Sequence, residues 1–91
     1  MAVSTISKIP LMELGSLSSL PSNSALSNSG IYTFLVSANI TSPISLPAGC
    51  RVIMISIAGI AHGIAIPNAT TIYFVRCDTS GWSKICNVTG T

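Results

Sequence analysis

Between Arg51 and Pro67 the isoleucines fall on alternate positions within two runs. Ile53, Ile55 and Ile57 share one face of an extended segment, and Ile60, His62, Ile64 and Ile66 share a face of a second one. The two runs are out of step by one residue at Ala58-Gly59. A period of two that slips at a glycine predicts two strands with a bulge or tight turn between them. On the reverse side of the second strand Ala61, Gly63 and Ala65 are all small, which lets another backbone or sheet come close. The stretch is also the most apolar of the chain, so a membrane helix over Val52–Ile66 is the competing reading. A span needs roughly 20 apolar residues. Here Ser56 and Gly59 interrupt the run, Pro67 ends it, and isoleucine dominates with no leucine. β-Branched side chains lose rotamer freedom in a helix and fit a pleated sheet. Strands are the better reading.

Strand signals are dense on either side. Ile31 to Val36 is an apolar run with aromatic and β-branched residues. A loop-rich segment with Asn39, Pro43 and Pro47 follows, with room for a short edge strand near Ile40. Leu46-Pro-Ala-Gly49 reads as a turn that launches the central pair. Thr70 to Cys77 predicts another strand, Asp78-Thr-Ser-Gly81 a tight turn, and Trp82 to Val88 the last strand. Short strands between Gly, Pro and Asn turns predict an all-β fold, a small antiparallel β-sandwich or barrel. Residues 1–29 differ. They are rich in Ser, with Leu11, Leu14, Leu17 and Leu20 at three-residue spacing that admits a short turn of helix. Such a segment resists regular structure and suits an extended N-terminal attachment arm laid on a neighbour. The division expected is an arm over 1–29 and a β-structured oligomerisation or binding domain over 30–91.

Composition sharpens this picture in one respect. Charged residues make up 7% of the 91, where a soluble domain has about 25%. A lone copy would have to wet its surface with Ser, Thr and Asn, so association with other copies is the expectation. The face bearing Ile60, His62, Ile64 and Ile66 and the small face of Ala61, Gly63 and Ala65 are the candidate interface. A net charge of +2 without a Lys/Arg cluster excludes a nucleic-acid footprint. Lys8, Pro10 and Glu13 interrupt what a secretory signal would need as an apolar core.

Candidate chemistry is sparse. Cys50, Cys77 and Cys86 show no zinc-type spacing and no cofactor motif accompanies them. In a hairpin turning at Asp78–Gly81, Cys77 faces Trp82 and Cys86 faces Tyr73, too far apart to bridge. All three are therefore read as buried thiols. Catalysis needs a nucleophile, a base and a group to orient the base. The acids are Glu13, in the arm, and Asp78, a good turn former; the single histidine is His62. A Cys50 or Cys77 dyad with His62 finds no support in the spacing, and the chain is not read as an enzyme. His62 on an isoleucine face is a packed histidine, although in a three-fold assembly it would also reach the axis, where a metal or anion could bind. Trp82, Tyr73 and Tyr32 are the candidates for an aromatic platform that stacks on a sugar; the plainer reading of Trp82 is a cap on a small core. Arg76 points away from Tyr73 and Val75, to solvent or across an interface. The triplets at Asn39, Asn68 and Asn87 fit the N-glycosylation pattern but arise easily in so Ser/Thr-rich a chain, with Asn serving turns.

Two stretches carry a family resemblance. ISKIPLMELGSLSSLPSNSAL (6–26) resembles the short segments that open many tailed-bacteriophage and prophage tail-fibre or tail-tip proteins, with Ile9 where Leu is usual. LPAGCRVIMIS (46–56) and TIYFVRCDTSGWSKI (71–85) resemble their receptor-proximal β-domains, in which a P-A-G turn leads into a strand and a G-W-x-x-I strand ends the module. The resemblance implies a non-enzymatic virion structural protein. It would be homotrimeric and β-rich, held to other virion proteins by its N-terminal arm, made in the bacterial cytoplasm and released on lysis. A decoration subunit and a module that binds a host-surface glycan or protein both fit. The alternative is a small monomeric effector or inhibitor of a host protein, which the charge deficit disfavours because a free monomer would expose apolar patches.

Overall fold

A computed structural model describes residues 9–90. They form six strands: β1 (Leu11–Leu17), β2 (Gly30–Val36), β3 (Arg51–Ile57), β4 (Ile60–Asn68), β5 (Thr71–Asp78) and β6 (Gly81–Thr89). One 3₁₀ turn, Asn23–Leu26, lies between the first two. The all-β class holds. The architecture is a single open sheet in the order β1-β2-β3-β4-β5-β6 rather than a sandwich or a closed barrel. Strands β2 to β6 run antiparallel as a meander, but β1 pairs with β2 in parallel.

The three hairpins follow from local chemistry. Ala58 and Gly59 have φ of 54° and 85°, so the β3–β4 connection is a two-residue turn with both residues left-handed. This is the tight turn that the slip in alternation predicts. At β4–β5 the Asn68 side chain accepts from the Thr70 N–H at 2.9 Å and from its hydroxyl at 3.0 Å. At β5–β6 Asp78 accepts from the Ser80 N–H at 2.8 Å. Pro67 sits where the β4–β5 register shifts, between the pairs Ala65–Tyr73 and Asn68–Thr71, so its missing N–H falls at an irregularity of the ladder.

A parallel pair cannot be joined by a hairpin, so residues 18–29 cross over the sheet, and they do so on one face only. The β2–β3 connection, residues 37–50, passes over the same face. Together they bury Leu26, Ile40, Ile44, Leu46 and Cys50 against Tyr32, Phe34, Val36, Val52, Met54, Ala61, Ala65, Val75, Cys77 and Trp82. The sheet curls towards this covered side. Phe34 of β2 and Trp82 of β6 meet edge to face at 6.2 Å, although four strand spacings of about 4.8 Å separate their strands in the ladder. The other face is therefore convex, and none of the described residues lies over it.

The N-terminal expectation is corrected in part. Residues 11–17 are an edge strand, not an arm or a helical turn, and the crossover belongs to the body of the fold. Gly15, at φ 75°, lets Leu14 and Gly15 together oppose Phe34. That bulge turns the alternation of Met12 and Leu14 into the three-residue spacing to Leu17. Residues 1–8, including part of the expected arm and of the interrupted signal-like segment, lie outside the described residues.

Candidate functional site

The crossover is held down by side chains that reach up from the sheet. Ser56 Oγ donates to the Leu26 carbonyl at 2.6 Å. Tyr32 donates its hydroxyl to the Asn28 carbonyl at 2.8 Å, and Trp82 Nε1 donates to the Pro21 carbonyl at 2.7 Å. Asn23 answers from the crossover, donating to the Gly59 carbonyl at 3.0 Å. The second connection is fastened by Lys84, whose ammonium donates to the Ser45 carbonyl at 3.1 Å and lies 3.8 Å over the Tyr73 ring.

These contacts decide the fate of the aromatic platform. Trp82 is 8% exposed and Tyr32 2% exposed, each with its polar tip engaged, and Tyr73 is covered by Lys84. None of the three offers a free face to a sugar. Trp82 closes the core, its plainer reading. The exposed aromatic is Phe74, on the opposite side of the sheet.

The two faces of β4 also part company. Ala61 and Ala65 are buried beneath the crossover side, so that half of the expected interface is spent within the chain. Gly63 is needed there as well: a Cβ would overlap the Ile53 carbonyl and crowd Met54 Sδ. The close approach that the small residues predict is real, but its partners are β3 and the chain's own connections. Ile60, His62, Ile64 and Ile66 lie on the open side, opposite Ile57, Ile55, Ile53 and Arg51 of β3. On β5 the same rows continue through Arg76 and Phe74, and on β2 through Ile31, Thr33 and Leu35.

This open face is the conspicuous surface of the molecule. Among the described residues ten large hydrophobic side chains are exposed, and all but Ile9 stand on it. Ile57, Ile55 and Ile53 are 68%, 52% and 43% exposed, so the ridge over β3 is its most apolar part. Charge is thin there. Arg76 contacts Asp78 at 3.0 Å, a charge contact rather than an aligned hydrogen bond. Arg51 and Glu13 stand towards the β1 side, framing a hollow floored by Phe34, Val52 and Ile53.

The two buried thiols and the imidazole are on opposite sides of the sheet. Cys50 and Cys77 are buried, and burial pushes both thiols up from their ordinary value, with the Asp78 carboxylate adding to the rise at Cys77. Cys86 is exposed on β6, which corrects the reading of three buried thiols. It stands opposite Phe74 rather than Tyr73, because the β5–β6 register slips by one at Ile85. All three cysteines are free. Among the described residues no three His, Cys, Asp or Glu side chains converge as a metal site. No helix among them is long and apolar enough to cross a membrane. No family model matches the sequence, and no characterised protein or solved structure is significantly similar to it.

On β4 the signal that separates the two sides is size: the small face of Ala61, Gly63 and Ala65 lies under close-packed chain, and the face of isoleucines with a lone histidine stays open.

Proposed function

We propose that this chain is a non-catalytic structural subunit that works by burying its open sheet face against other copies of itself. The observation that carries this is the segregation of the exposed large hydrophobics onto one convex face. Contiguous exposed apolar patches mark interaction surfaces, and nine exposed large hydrophobic side chains gathered on one face make such a patch. A second copy is favoured over an unrelated partner by the whole-chain charge of only 7%, since a chain built to stay alone carries far more.

The sheet edges point the same way. β1 carries the Gly15 bulge, and β6 carries the slip at Ile85 next to Lys84. Bulges and lysines are how proteins blunt edges against strand addition. The edges are guarded and the face is not.

The setting we propose is a virion of the tailed-phage type, as a fibre, tip or decoration subunit, supported by the resemblance at residues 6–26, 46–56 and 71–85. A convex face cannot be covered by one flat contact, because Leu11 and Val88 stand at opposite edges of a curled sheet. Each copy then meets two neighbours, which agrees with the homotrimer that the resemblance implies. The test is the native mass of the detergent-free chain by light scattering. A mass of three protomers is expected, and Ile55→Lys, outward-pointing and so compatible with the fold, reduces it. A wild-type chain that stays monomeric over the accessible concentrations overturns the reading.

A further inference from the structure

His62 is the single histidine of the chain, and it stands in the middle of the open face. On one side of it is a hollow lined by Ile55, Ile57 and Ile60, and on the other a hollow lined by Ile64, Phe74 and Ile85. Its directly opposed neighbours are Ile55 on β3 and Arg76 on β5. The nearby carboxylate, Asp78, is already in contact with Arg76. The remaining charges of the face are Arg51, opposite Ile66 at the far end of β4, and Glu13 on β1, three strands away. No acidic group stands directly opposite His62 on either adjoining strand; Asp78 is diagonal to it, on the far side of Arg76.

We propose that His62 gates assembly by pH: copies associate through the open face while the imidazole is neutral and separate when it is protonated. The inference rests on the assembly reading above. Covering the face moves His62 out of water among isoleucines and beside a cation. Loss of hydration and a like charge both disfavour the imidazolium in the assembled state. The sign follows from linkage. The free chain accepts the proton more readily than the assembled chain, so association is favoured at higher pH and weakens as the pH falls. Each proton taken up on separation lowers the association constant by up to about tenfold per pH unit, and the loss multiplies over the chains of the assembly.

The experiment is light scattering on the full chain and on His62→Leu at about pH 8 and about pH 5.5, both above the ordinary carboxylate range near 4. Circular dichroism is recorded at both values. Wild type is expected as an oligomer at the higher pH and as a folded monomer at the lower, at equal concentration, with H62L assembled at both. Wild type that stays assembled at the lower pH overturns the gate alone, as does an H62L variant that dissociates in parallel or a chain that unfolds instead of separating. A wild-type chain that is monomeric at both values overturns the assembly reading together with the gate.

Discussion

At the scale of single residues, the fold depends on a few polar tips that tie connections to the sheet. Ser56 is the buried polar residue of the core, and its hydroxyl satisfies the Leu26 carbonyl. Ser56→Ala leaves that carbonyl without a donor under the crossover, and a buried unsatisfied group costs about 1–3 kcal/mol. Urea unfolding of the variant is expected to show a loss in that range. The thiols divide in the same way. A disulfide reagent added to separated, folded copies reacts with Cys86 at once and with Cys50 and Cys77 only on unfolding. Because burial raises the two inner thiols, the folded state holds their protons more tightly than the unfolded one. Their contribution to stability is complete below the ordinary thiol value of about 8.5 and is lost as the pH rises past it. Chemical denaturation at increasing alkaline pH measures that decline. Residue chemistry of this kind is only half legible in sequence. Cys50 and Cys77 occupy alternate inward positions and could be read as buried, whereas the slip at Ile85 that brings Cys86 out has no mark in the letters around it.

At the scale of elements, the hairpins were the legible part. Ala58-Gly59, Asn68-Ala-Thr70 and Asp78–Gly81 name their turns because left-handed residues and Asx side chains have few other uses in a β chain. The alternation between them fixed β3, β4 and β5. What failed was β1. Its Gly15 bulge breaks the period of two, and its partner β2 is supplied by a crossover rather than a turn, so neither local signal reported a strand. The turn at Ala58 also shows where the sequence falls short of its own structure. A non-glycine residue in the left-handed region is strained, and Asn is favoured there in turns of this type. Ala58→Asn is expected to raise the unfolding free energy by up to about 1 kcal/mol, read as a shift of the urea midpoint at unchanged slope.

At the scale of the whole molecule, one face is dry because the chain covers it and the other is apolar, with none of the described residues above it. Alternation by itself does not assign them, because β3 carries large apolar residues on both sides; the crossover is tied to one side by Tyr32, Ser56 and Trp82, which reach up from that face. The consequence for association is measurable through salt. An interface built from isoleucine with so few charges gains little from ion pairing, so raising sodium chloride leaves the native mass unchanged, whereas sulfate strengthens the assembly. A mass that drops as sodium chloride rises would point to Arg51, Arg76 and Glu13 as the contact instead.

The parallel strand also sets an order of events. β2 to β6 pair with neighbours close along the chain, so loop closure costs them little. β1 has one partner, β2, and reaches it through a crossover whose anchors, Ser56, Trp82 and the Gly59 carbonyl, lie on strands made much later. Of these six strands, the one synthesised first is the one that has to wait longest for its place.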